Sequence, residues 1–208
     1  MKKILVALLL ALSPVYAFAE EESDTPQRDW FVGLYMMRPD INVYAAGPGV
    51  QNTELNLGGW GSALSFGRNT SSGVAFELEV GGINTKLVSA YQTSQAENVY
   101  LILGARYGYE FFGFWRPYVG AGIGYSVWGN TMEYEKLGTK INKQSDNIQF
   151  SYQVKLGIIV STGTRFDLDA SVKFQSLGRT GNEGPDFALV GNVQNIEPRI
   201  GFLYKFGF

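Results

Sequence analysis

From Ile196 to Phe208 the chain alternates at period two. Ile196, Pro198, Ile200, Phe202, Tyr204, Phe206 and Phe208 share one face, and Glu197, Arg199, Gly201, Leu203, Lys205 and Gly207 share the other. A strand with so many aromatic side chains on one face leaves a large apolar patch unless something covers it. Lipid is the cover expected here, because the same pattern recurs along the chain and no long apolar helix accompanies it.

Seven earlier segments read as strands of the same kind. Trp30 to Met37 is apolar on both faces, so its facing is open. Gly59 to Arg68, Val74 to Ile83, Val99 to Glu110, Pro117 to Trp128, Ile148 to Val160 and Arg165 to Ser176 alternate more cleanly. Turn-forming or aromatic stretches at 69–73, 111–116 and 161–164 make short connections, whereas 38–57, 84–98, 129–147 and 177–195 read as long polar loops. Long and short connections in strict alternation predict an all-β fold, an eight-stranded antiparallel up-and-down barrel with both ends of the chain on the side of the short turns.

Period alone does not say which side of a barrel is apolar, since soluble barrels are greasy inside and membrane barrels greasy outside. Three features favour the membrane form. The patterned strands match the ~9–11 tilted residues that cross a bilayer. Aromatic residues gather near strand ends (Trp30, Trp60, Tyr107, Tyr109, Trp115, Trp128, Tyr204, Phe206 and Phe208), as interfacial girdles require. The polar face is rich in Gly and Ser and carries charges of both signs in mid-strand. Glu77, Glu79, Glu110, Asp167, Asp169 and Glu197 are expected to meet Arg106, Lys155, Lys173, Arg199 and Lys205 in the interior, where each charge needs a partner or water.

The N-terminus fits export. Residues 1–19 read as a cleaved signal peptide: Lys2 and Lys3, an apolar run from Ile4 to Leu12, and the small-residue site Ala17-Phe18-Ala19. Residues 20–29 form a charged, aperiodic lead-in, expected in the periplasm, and residues 30–208 form one barrel domain. Loss of the leader leaves 19 acidic and 15 basic residues (17 less Lys2 and Lys3), a mildly acidic balance with no basic stripe for nucleic acid. Glycine, at 26 of 208 residues, is nearly twice its ~7% average.

The leader MKKILVALLLAL, the strand Arg116 to Ser126 (RPYVGAGIGYS) and the terminal RIGFLYKFGF together resemble the small outer-membrane barrels of Gram-negative bacteria, the OmpA-like and opacity-type surface-antigen superfamily. The resemblance covers nearly all of the mature chain and implies a location in the outer membrane among phospholipid and lipopolysaccharide. It also implies that Phe202, Tyr204, Phe206 and Phe208 form the C-terminal signal read by the barrel assembly machinery.

Histidine and cysteine are absent, which removes Ser-His-Asp hydrolysis, thiol chemistry and His- or Cys-based metal sites. No catalytic residue, metal site or cofactor is expected. The pairs Glu77/Glu79 and Asp167/Asp169 have a spacing open to acid–base work or cation binding, but an interior ion-pair network accounts for them. Gly120, Gly122 and Gly124 lack the spacing of a phosphate loop; they read as room for bulky neighbours such as Tyr100, Arg106 or Lys155, or as the wall of a small open lumen. The long loops carry Tyr44, Val50, Tyr91, Tyr134, Phe187, Leu189 and Val190 as anchors for a partner, with loop-to-loop packing the alternative. The expected role is a non-enzymatic surface protein, structural or adhesive, contacting a host surface molecule or the envelope. The alternative is a narrow channel or carrier for small molecules, hydrophobic ones among them, resembling the OmpW-like barrels.

Overall fold

The computed structural model describes residues 29–47, 50–88, 92–111, 113–136, 139–183 and 188–207. The signal peptide, all of the lead-in but Asp29, and the residues Tyr91, Phe187 and Phe208 lie outside them. The strands are β1 (Trp30–Met37), β2 (Asp40–Gly47), β3 (Val50–Asn69), β4 (Val74–Val88), β5 (Gln92–Gly108), β6 (Trp115–Lys136), β7 (Thr139–Ser161), β8 (Phe166–Glu183) and β9 (Ala188–Phe206). β1 and β2 are two halves of one barrel strand, since both pair with β3 on one side and β9 on the other. Arg38 and Pro39 interrupt it, where proline has no N–H for the ladder. Counted this way, eight antiparallel barrel strands close through the β1–β9 pairing.

The register fixes the shape. Starting at Ile158 and crossing strand to strand through Ala170, Ile200, Met36, Ser62, Gly82, Val99 and Val127, the path returns to β7 at Ile148, ten residues away. With strands ~4.8 Å apart and ~3.3 Å per residue, eight strands and a shift of ten tilt the strands about 40° from the barrel axis.

Alternation then sorts the side chains. Ile148 (70% exposed), Trp60 (67%), Ile200 (65%) and Phe202 (59%) point outward, while Phe31, Tyr35, Glu79, Lys155, Lys173 and Arg199 point into the lumen and are buried. The facing that β1 leaves open in sequence is settled by this: Phe31, Tyr35 and Met37 are inside, Leu34 and Met36 outside. A girdle closes the short-turn end, with Trp30 stacked on Phe66 at 5.1 Å and Phe166 against Tyr204 at 5.1 Å. Trp128 does not belong to a girdle. It is buried in the lumen and donates from Nε1 to the Leu177 carbonyl at 2.9 Å, as its shared parity with Ser126 and Gly124 requires.

Each of the three short turns contains a glycine at positive φ, Gly73, Gly113 and Gly163, a backbone region other residues rarely enter. The four long loops of the sequence reading are corrected. β2, β3 and the outer parts of β4 to β9 occupy most of 38–57, 84–98, 129–147 and 177–195 as paired strands. The β6–β7 hairpin pairs as far as Lys136 with Thr139, nine residues beyond the apolar Val127–Ile148 pair and therefore ~20 Å higher. Periodicity missed these segments because apolar–polar alternation is imposed by lipid on one face, and above the belt neither face meets lipid.

Candidate functional site

Among the described residues, functional-type side chains converge in the barrel interior. Deep in the lumen four carboxylates, Glu77, Glu79, Asp169 and Glu197, meet four cations, Arg106, Lys155, Lys173 and Arg199, all at most 4% exposed. β4, β5, β7, β8 and β9 supply them, each from inward positions two residues apart or at a matching height.

Glu79 is the hub. Its carboxylate lies 3.3 Å from Lys155 Nζ, 3.1 Å from Lys173 Nζ and 2.8 Å from Arg199 Nη1, and it accepts the Tyr100 hydroxyl at 3.1 Å. Lys173 also pairs with Glu197 at 2.8 Å, donates to Tyr100 Oη at 2.7 Å and stands 4.2 Å from that ring's centroid. Glu197 accepts from Asn195 Nδ2 at 2.8 Å. Lys155 bridges to Glu77 as well. Arg199 has Glu79 as its carboxylate, donates from Nε to Ser171 Oγ at 2.9 Å and stacks 4.1 Å over Tyr35.

Toward the short-turn end, Asp169 accepts the hydroxyls of Tyr118 (2.9 Å) and Tyr35 (3.1 Å) and lies 3.6 Å from Arg106. Arg106 spans to Glu77 at 3.9 Å and covers the Phe31 ring at 4.4 Å. Below it, Asp167 is held by Lys205 at 3.0 Å, Arg116 at 3.6 Å and the Ser161 hydroxyl at 3.0 Å. Equal numbers of opposite charges fill the deep section, so the low dielectric penalises no single charge by itself, although each is costly once its partner is removed.

Glu110 does not join this network. It is exposed, beyond the end of β5, where it lines a shallow hollow of about 220 Å³ with Arg116 and Lys205 at the barrel mouth. Lys205 is at that mouth too, with its side chain 19% exposed. The remaining charges of the sequence reading lie together in the lumen. Phe202 and Tyr204 face outward on β9, with Phe206 half-buried below them. The backbones of Tyr44, Val50, Tyr134, Leu189 and Val190 lie in β2, β3, β6 and β9; their side chains are outside what the structure describes.

From sequence Tyr100 is expected only as a bulky neighbour of the β6 glycines, and Tyr35, Tyr118 and Arg116 carry no expected role in the interior. Tyr35, Tyr100 and Tyr118 each lie directly across the ladder from a glycine, Gly201, Gly81 and Gly157, and each ring lies over the space a Cβ would fill; Phe31 does the same over Gly67. Knowledge of the register would have found them, but a single sequence does not give register. The row Gly120, Gly122 and Gly124 on β6 makes room for Arg106, Ile102 and the β5 backbone instead of Tyr100 or Lys155. Among the described residues, no cluster of three or more His, Cys, Asp or Glu is arranged to hold a metal ion.

Comparison with known proteins bears on the fold. The outer membrane protein beta-barrel domain family matches residues 5–206. Similar solved structures include Neisserial surface protein A (16% identity, TM-score 0.57, covering 85% of this chain and 97% of that one). Ail, the attachment invasion locus protein of Yersinia pestis, solved in complex with the heparin analogue sucrose octasulfate, is 9% identical with a TM-score of 0.54, over 86% of this chain and 98% of that one. The outer membrane protein OprG from Pseudomonas aeruginosa is 14% identical with a TM-score of 0.53, over 86% and 97%. Identities this low speak to fold alone. No curated protein sequence matches the chain.

Proposed function

Because this chain belongs to the outer membrane protein β-barrel family and resides in the outer membrane of a Gram-negative cell, we propose that it is a non-enzymatic surface protein with a closed lumen. Its work, structural or adhesive, is done by the four hairpins that rise from the far end of the barrel. One observation carries this reading: the lumen is filled by buried, mutually paired charges centred on Glu79. A passage for solutes would have to part several of those buried pairs at once. That leaves the outer hairpins, above all Gly129 to Asn147, as the surface that meets the outside world.

The same filled lumen argues against the channel reading, and among the described residues the buried charges there are paired with one another, which favours a non-enzymatic role. The partners in this reading are lipopolysaccharide around the wall, the barrel assembly machinery during insertion, and a host surface molecule at the hairpin tips. Ail, whose structure carries a heparin analogue, has the same fold, which supports a binding surface on a barrel of this kind.

The test is to replace the four hairpins beyond the apolar belt with short turns and to score attachment of expressing cells to cultured host cells. The shortened barrel should still insert and should lose attachment. Full attachment by the shortened form would overturn the assignment.

A further inference from the structure

The lipid-facing wall is not uniform. A groove of about 1070 Å³ crosses it from β7 to β3, with apolar side chains along most of its length. Its course follows the register: Leu156 pairs with Val172, Val172 with Pro198, and the Pro198 carbonyl accepts the Arg38 backbone N–H at 3.2 Å. Arg38 follows Met37, whose partner on β3 is Gly61, so it stands beside the exposed Trp60. The floor is low where Ala170 and Pro198 replace the large residues found on either side.

Two features give the groove a direction. Rows of paired residues climb the tilted barrel from β7 toward β3, so the Ile158–Ala170 end lies deep and the Arg38 end lies high. With three strand spacings of ~4.8 Å and two residues of ~3.3 Å at a tilt of about 40°, Arg38 sits roughly 14 Å above Ile158. That is about half of a ~30 Å hydrocarbon core, the thickness of one leaflet. Arg38 itself is eight residues above Trp30 of the lower girdle, about 20 Å, close to the top of an apolar band ~25 Å tall.

Arg38 is also exposed, points outward next to lipid, and has no carboxylate partner among the described residues. A guanidinium at that height is placed to fork onto a phosphate, with an indole beside it at the interface. We propose that this groove is a specific lipid site. One acyl chain of a phosphorylated glycolipid of the outer leaflet, of the lipid A type, lies along Leu156, Ala170, Val172 and Pro198, and its phosphate rests on Arg38. The outer leaflet is selected because the cation is at the hairpin end of the groove. Asp40, exposed and two residues further up the same strand, opposes the phosphate and limits the affinity.

The experiment is native mass spectrometry of the detergent-refolded full barrel titrated with bisphosphorylated lipid A, with phosphatidylglycerol and dephosphorylated lipid A in parallel. The wild type should retain one lipid A. Arg38→Ala should lower that occupancy about tenfold and Arg38→Lys less, while Asp40→Asn should raise it. Ala170→Trp, which fills the groove and leaves the cation in place, should also abolish retention, and heat-modifiable mobility on gels reports that each variant is folded. Equal retention of phosphatidylglycerol, unchanged retention in both Arg38→Ala and Ala170→Trp, or a protein dimer in place of a lipid adduct would each overturn the proposal.

Discussion

Glu79→Gln removes one charge from the centre of the lumen and almost no volume. In the native barrel Glu79 faces Lys155, Lys173 and Arg199 within 3.3 Å and accepts the Tyr100 hydroxyl. Lys155 keeps Glu77 and Lys173 keeps Glu197, but Arg199 is left with Ser171 and the face of Tyr35 and with no carboxylate. An uncompensated buried charge of this kind costs about 3–5 kcal/mol, a large share of the ~5–15 kcal/mol that holds a typical domain together. Urea titration of the barrel refolded in detergent, followed by tryptophan fluorescence and by gel mobility, measures the loss. Glu79→Gln combined with Arg199→Gln restores the balance of charge, so the double variant should be more stable than the sum of the two singles by about 1–3 kcal/mol. If Glu79→Gln costs less than ~1 kcal/mol and the two changes simply add, the charged layer is not paired as described.

Two further perturbations probe the wall and its assembly. Gly81 and Gly82 are neighbours that face opposite ways; Gly81→Val drives a side chain into the Tyr100 ring and should cost about 1–3 kcal/mol, whereas a Cβ on Gly82 meets only the Asn98 carbonyl oxygen at an ordinary contact distance of 3.8 Å, so Gly82→Val should change the urea midpoint little. Phe208→Ala should reduce the amount of barrel inserted in the outer membrane, scored by surface proteolysis and fractionation, while Arg199→Ala should insert at normal levels and then unfold at lower urea; normal insertion of Phe208→Ala would refute the C-terminal signal.

The barrel was legible from sequence wherever lipid imposes a pattern. Ile148 to Val160 and Ile196 to Phe206 alternate because one face meets acyl chains and the other meets the lumen; parity put Glu79, Lys155 and Arg199 on one face, and strand length, aromatic girdles and the Gly/Ser-rich charged face made that face the inside. Parity also assigned Trp128 to the inside, but its aromatic character drew it to the membrane interface in the sequence reading. Glu110 erred in the opposite direction: it has the right parity, yet the strand ends at Gly108, and a strand end leaves no periodic trace. The partners inside the lumen were out of reach for a different reason. Which charge meets Glu79, and which glycine admits Tyr35, depends on the ten-residue stagger of the barrel, a property of closure that no single strand encodes.

Single-channel recording of the purified, refolded protein in planar bilayers at 1 M KCl tests the closed lumen most directly. The wild type should be silent, because the interior section is occupied by paired side chains from Asp167 up to Lys173 and Glu197. Steady, stepwise conductance from the wild-type barrel would contradict the closed lumen and restore the channel reading.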